Sequence, residues 1–306
     1  RRLSEAGATQ LEDYSAQVPG MSIASNGGSM QVILRGISTG LSQAAPTTGI
    51  YIDEAPIGST NNYAVGSGLV PDLDPAELAQ IEVMKGPQGT VFGGGAMGGV
   101  LRYVTRLPDF GKFSGSVTLG TNSVDEGGNG HVARMALNMP VSDRFALRFS
   151  AFERKDAGYI DNPAAAPIYD VEAEDINDVT NSGGRLAASW KVNDTWRVDA
   201  FALSQKRKAD GGTWVDLDRN TLEPMFGDYT RPIVVGEEGS TELDVLNATI
   251  KGQVGSFGFT SSTTWQENDA DARGDATPSF GLYLALVTGD PFFGAQHHQV
   301  VNTERF

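Results

Sequence analysis

The 306-residue chain has no cysteine, which excludes disulfides, thiolate metal sites and a cysteine nucleophile together. Cations are scarce: 23 Lys and Arg stand against 38 Asp and Glu, a formal charge of -15. A phosphate-binding surface needs clustered Lys and Arg, so no nucleic-acid partner is expected. There are only 3 histidines. His297 and His298 are adjacent and would point to opposite faces of a strand, and His131 is far off, so no metal or other cofactor is expected. No run of 18 or more apolar residues occurs, which excludes a transmembrane helix. It does not exclude a barrel, whose strands need only alternate over about ten positions. The opening RRLSEAGATQ lacks the apolar core of a signal peptide. No Ser/His/Asp set or carboxylate pair stands out from the acidic background, so an enzyme is not expected.

What the chain does have is glycine, 38 residues of it, concentrated between the apolar runs IEVM and VLRYV of Leu78–Thr105. Gly93-x-Gly95-x-x-Gly98 spells the dinucleotide fingerprint, which works only when the glycines open a helix. The following GVLRYVT reads as a strand, and no P-loop lysine accompanies GPQGTVFG. The competing reading is that glycine allows close backbone approach and positive φ in a tight hairpin connection. Upstream, Thr9-x-x-Glu12 is a capping box for a helix with Leu11, Tyr14 and Val18 on one face. MSIAS, QVILRGI and GIYIDEAPI read as three strands separated by the polar loops SNGGSM and STGLSQAAPTT. After a further loop, GSTNNYAVGSG, Asp74 caps and Pro75 opens a helix of one to two turns.

From Pro108 onward the pattern changes to repeated strands with one apolar and one polar face. Phe113, Val117 and Leu119 oppose Ser114, Ser116 and Thr118. Ala133, Met135, Leu137 and Met139 oppose Arg134 and Asn138. Phe145, Leu147 and Phe149 oppose Arg144 and Arg148, and Leu186, Ala188 and Trp190 oppose Arg185 and Ser189. WRVDAFALS breaks the rule, with Phe201 and Leu203 on the polar side. ELDVLNATIKGQV, GFGFTSSTTWQ and the stretch from Gln299 continue the series. MPVSD and VNDT are tight turns, whereas Lys155–Ser182, Arg207–Thr241 and Asn268–His298 are long and polar, an asymmetry typical of outer-membrane barrels. A soluble β-sandwich binding protein remains the alternative from another class.

The ordered set PGMSIAS, VILRGI, GIYIDEAPI and IEVMKGPQGTVFGGGAMGGVLRYVT resembles the plug of TonB-dependent outer-membrane receptors. The resemblance implies a membrane β-barrel, 22-stranded and antiparallel in full, with an N-terminal mixed α+β plug inside it. Residues 1–108 would then be the plug and 109–306 the first seven to eight barrel strands, part of a longer chain. A barrel closed by eight strands could not enclose such a plug. The implied activity is active uptake of a scarce or bulky ligand across the bacterial outer membrane. A ferric siderophore is the default, with carbohydrate, cobalamin or aromatic ligands as alternatives. The implied partners are TonB with its inner-membrane motor complex, outer-membrane lipid and a small-molecule ligand such as an iron chelate. Taking GIYIDEAPI as one strand running outward, the loops at 25–30 and 58–68 become outer apices. Asn26, Ser29, Met30, Asn61, Asn62 and Tyr63 are then the ligand-contact candidates. Arg35 and Lys85 match the family positions that lock plug to barrel, with acidic partners expected beyond Phe306. Lysine at 85 replaces the usual arginine and offers no bidentate fork.

Overall fold

The computed structural model describes residues 10–26, 29–40, 45–58, 70–163, 173–277, 286–287, 289 and 296–305. Helix α1 (Leu11–Ser15) buries Leu11 and Tyr14. Its capping box lies one residue later than the sequence suggests, with the Gln10 N–H donating to Asp13 Oδ2 at 3.1 Å; Thr9 lies outside the described residues. Strands β1 (Met21–Asn26) and β2 (Ser29–Leu34) form an antiparallel hairpin. QVILRGI is not a strand throughout, because Arg35 (φ 54) and Gly36 (φ 73) turn the chain after Leu34.

GIYIDEAPI is likewise not one strand but a hairpin, β3 (Thr48–Ile52) and β4 (Ala55–Ile57). Asp53 makes the turn at φ 53, a conformation that a short polar side chain tolerates better than most. Its N–H donates to the Tyr103 carbonyl at 2.8 Å. Its carboxylate accepts from Thr105 N at 2.8 Å and Thr105 Oγ1 at 2.6 Å. Asp74 caps as its position suggests, accepting from Ala76 N at 3.0 Å, but the helix is a single 3₁₀ turn, Pro75–Glu77. Strand β5 (Leu78–Lys85), the short helix α2 (Gly89–Phe92) and strand β6 (Gly99–Thr105) complete the unit. The sheet order is β4-β3-β6-β5, with β3 and β6 parallel. Leu34, Ile52, Leu101 and Tyr103 are fully buried at its core.

The glycine segment thus leads into a strand, as the packing reading requires. Gly99 sits at φ +147, and a Cβ there would lie 2.1 Å from the Met84 carbonyl and 2.6 Å from Leu34 Cδ1.

The remaining strands are β7 (Ser114–Ser123), β8 (Asn129–Ser142), β9 (Phe145–Asp156), β10 (Val179–Lys191), β11 (Arg197–Ala209), β12 (Glu238–Val254), β13 (Phe257–Asp275) and β14 (Gln296–Arg305). They pair in sequence order, all antiparallel, with β7 and β14 at the two edges. One rim carries the tight turns after β8, β10 and β12, and the other the long connections 157–178, 210–237 and 276–295. The strands reach further into those connections than the alternation suggests: β10 starts at Val179 and β12 at Glu238. Beyond the zone with an apolar outer face both faces turn polar, so the hydrophobic signal stops while the hydrogen-bond ladder continues.

The wall is inverted relative to a soluble sheet. Phe113, Val117 and Leu119 are 68%, 75% and 77% exposed, whereas Asn138, Asn181, Ser189 and Gln266 on the opposite face are buried. Phe201 and Leu203, which broke the pattern, face inward with Ala187, Leu243 and Val245 and join the buried core of the inner sheet. Gly99→Ala should strain the β5–β6 crossing by roughly 2–4 kcal/mol. Limited proteolysis of the variant should show the inner sheet cleaved faster while the antiparallel wall stays resistant.

Candidate functional site

The chemistry of the chain is concentrated at the seam between the inner sheet and the wall. The inner unit presents acids and the wall presents bases. Asp72 accepts from Arg154 at 2.5 Å, and Arg154 also binds Asp156 at 2.8 Å. Asp72 Oδ1 accepts the Leu11 N–H at 2.8 Å. The Asp72 carbonyl accepts from Asn181 Nδ2 at 2.9 Å and Gln205 Nε2 at 2.8 Å. Asp74 pairs with Arg134 at 3.1 Å, and Glu77 takes a two-pronged contact from Arg148 at 2.6 and 3.1 Å. Arg185 donates to Thr105 Oγ1 at 2.7 Å and stands 3.9 Å from Glu77 and 4.0 Å from Asp53. Its guanidinium also lies over the Phe201 ring, 5.1 Å from the centroid. Lower on the wall, Lys251 meets Glu54 at 3.0 Å, and Gln266 exchanges hydrogen bonds with Gly58 at 3.2 and 3.0 Å.

Six consecutive strands, β8 to β13, therefore hold the inner unit by polar contacts, and the wall curves around it. The ion pairs belong to β8–β10 and to the short-turn end of β12. The Glu54–Lys251 contact also fixes the direction of the hairpin. The Asp53–Glu54 turn points toward the short-turn rim, so β3 runs inward and β4 returns, opposite to the single outward strand expected. Burial raises the Asp74 carboxyl above its ordinary value of 3.8, against the lowering effect of Ala76 N–H and Arg134. A carboxyl raised on folding contributes stability that is complete below the ordinary value and is lost as pH rises through the raised one.

The ligand and lock candidates occupy several different settings. Asn26 and Ser29 are backbone partners at the tip of the β1–β2 hairpin. Met30 is 2% exposed and packed in the core. Its long apolar side chain is drawn into the sheet interior, so it is removed from the contact set. Asn61, Asn62 and Tyr63 lie outside the described residues. Arg35 is exposed, and Lys85 Nζ donates to the Pro19 carbonyl. Neither enters a salt bridge among the described residues.

The acids of DLDPAE were legible only as a helix start. Their signal was present, because Arg134, Arg148 and Arg185 all fall on the polar face of their strands and need partners there. Among the described residues no group of three or more His, Cys, Asp or Glu could hold a metal ion.

A two-layer arrangement of a mixed sheet held inside an inverted antiparallel wall defines a plugged outer-membrane barrel. Residues 1–100 match the TonB-dependent Receptor Plug Domain family. The pesticin receptor of Yersinia pestis is 28% identical over 208 residues, covering 67% of this chain and 28% of that protein. The ferrioxamine B receptor of Salmonella typhimurium is 27% identical over 234 residues, covering 74% of this chain and 29% of that one. The crystal structure of the ferric yersiniabactin uptake receptor of Yersinia pestis superposes with a TM-score of 0.69 at 21% identity, over 89% of this chain and 40% of that chain. The ferric enterobactin receptor of Pseudomonas aeruginosa gives 0.63 at 14% identity, over 96% and 42%. These relatives are receptors rather than enzymes, and the chain spans less than half the length of each. Residues 1–100 thus match the plug of TonB-dependent receptors, and the strands that follow share the fold of the wall that surrounds such plugs.

Removing one partner of a buried pair costs roughly 3–5 kcal/mol. Asp72→Ala, which leaves the buried Arg154 with Asp156 alone, should therefore loosen the plug and raise entry of a bulky antibiotic in cells carrying the full-length protein. Arg154→Met, Asp72→Leu and Asp156→Asn together should restore much of the barrier, since the whole ion-pair cluster is then removed and none of its charges is left behind.

Proposed function

We propose that the whole protein takes up a ferric siderophore across the outer membrane, driven by TonB and its inner-membrane motor complex. The observation that carries this reading is the acidic plug seated against the basic wall, since a filled barrel serves directed transport and not passive diffusion. The names of the similar receptors (pesticin, ferrioxamine B, ferric yersiniabactin, ferric enterobactin) supply the ligand class. In this reading residues 1–108 are the plug and 109–306 the first barrel strands. The β1–β2 tip, with Asn26 and Ser29, is one outer apex, and 58–68, with Asn61, Asn62 and Tyr63, is the other. Their amides, hydroxyls and one aromatic ring suit a polar chelate. Arg35 and Lys85 then serve as locks to acids elsewhere in the barrel.

Cells that depend on the full-length receptor should accumulate radioiron from a ferric siderophore and lose that uptake when TonB is deleted. Uptake that persists without TonB would remove the energised mechanism. Replacing Asn61, Asn62 and Tyr63 together by Ala should lower binding at least tenfold, an energy of about 1.4 kcal/mol. Unchanged binding would take the second apex out of the site.

A further inference from the structure

Where the plug meets β8 and β9, the wall depends on it. The side chains of Asp72–Arg154, Asp74–Arg134 and Glu77–Arg148 are between 1% and 15% exposed. Parting the two surfaces there would leave Arg134 and Arg148 without a carboxylate and Arg154 with Asp156 alone. Stranding a buried charge is the costly way to break an ion pair.

The lower seam, at β11 and β12, is built differently, because the wall satisfies its own polar groups. Asp199 accepts from Ser189 Oγ at 2.5 Å and from Arg197 Nε at 2.8 Å. Asn247 donates to Ser262 Oγ at 2.9 Å and Thr264 Oγ1 at 2.8 Å, and accepts from Thr249 Oγ1 at 3.0 Å. Among the described residues the ion pair that joins the plug to this stretch is Glu54–Lys251, at 3.0 Å. Its side chains are 32% and 50% exposed, so the pair is solvated and contributes little. Glu54 also holds Arg102 of the plug at 3.0 Å, and Arg102 reaches Glu82 at 3.2 Å. Releasing Lys251 therefore strands no buried charge.

A cavity of about 110 Å³ already separates the two surfaces at this place. Asp53, Glu54 and Arg102 line its plug side, and Asp199, Thr249 and Lys251 its wall side. Arg185 and Phe201 close it toward the long-loop rim. Such a volume holds several waters and no chelate, so passage requires plug and wall to separate.

We infer that during uptake the plug parts from the wall at this wetted lower seam, and that a polar, hydrated chelate leaves along β11 and β12 toward the short-turn rim. The β8–β9 side stays closed. Glu54 is the latch, turning from Lys251 to Arg102 alone. The inference rests on the uptake reading above.

The 306 residues contain no cysteine, so one introduced thiol reports on one place within them. Thr249→Cys on β12 and Ser150→Cys on β9 are matched probes, since both parent residues are small, inward-facing and 4% exposed. Cells carrying the full-length protein would be given radioiron as a ferric trihydroxamate or a ferric tricatecholate, together with a small polar maleimide. Thr249→Cys should label at least about tenfold faster when chelate and TonB are both present than when either is missing, and Ser150→Cys should change less than about twofold, the signature of local opening. Equal acceleration at both sites would mean that the plug leaves as a whole. Acceleration at Ser150→Cys alone, or at neither site, would place the parting elsewhere. Each of these patterns, seen while radioiron enters, overturns the inference and leaves the uptake reading standing. Entry of neither chelate would count against both.

Glu54→Cys with Lys251→Cys, joined by a cleavable bis-maleimide, serves if Thr249→Cys fails to assemble. The tether should cut uptake at least about tenfold and hold surface binding within about twofold, because it blocks a conformational step and not capture. Cleaving it should restore uptake. Full uptake through an intact tether would overturn the inference, and so would a loss that cleavage does not reverse.

Discussion

One buried ion pair, Asp72 with Arg154, orders much of the seam. Through its carboxylate and its carbonyl, Asp72 ties the start of α1 to β9, β10 and β11 at a single point. A buried pair by itself is weak evidence for stability, since desolvation cancels most of the attraction. Its value here lies in register. Sliding the plug by one position would leave several wall arginines buried without partners, at several kcal/mol each. The correct seating is selected because the alternatives are costly, more than because this one is strongly favourable.

That logic depends on the inversion of the wall. A soluble sheet buries its apolar face, and this one turns that face outward and fills its interior with Asn, Gln, Ser and Arg. Such an interior cannot collapse on itself, because its polar groups need partners. The plug supplies them. Where the plug is apolar, the wall is apolar too: Phe201, Leu203 and Val245 meet the sheet core that contains Leu101 and Tyr103. The seam is a composite of an ion-pair belt and a small hydrophobic contact.

Strand alternation was legible in the sequence because lipid on one side and polar filling on the other impose period two over long runs. The glycine segment was legible too, since Val100, Tyr103, Val104 and Thr105 beyond Gly98 are β-branched or aromatic and favour a strand over a helix. The Asp53 turn was not, because IDE looks like strand until the Tyr103 carbonyl and Thr105 claim the backbone and side chain of Asp53 across the sheet. Met30 misled for a related reason: a residue near a loop tip was read by its neighbours, while its own side chain turned into the core. The acids of DLDPAE were visible as residues but not as a set, since their partners are 60 or more positions away, as with Asp74 and Arg134. Long-range pairing leaves no local pattern.

Strand β13 also sets the height of the wall. Its outward positions are Phe257, Phe259, Ser261, Thr263 and Trp265, and then Glu267, Asp269, Asp271 and Arg273. At about 3.3 Å per residue and a tilt of about 40°, Phe257 to Trp265 climbs roughly 20 Å, close to the apolar band of about 25 Å. The charged half above Trp265 climbs a similar height with no hydrocarbon to meet. The wall is therefore nearly twice as tall as the apolar band, and its upper half is a hydrated parapet. A loop at its crest stands clear of the lipid headgroups.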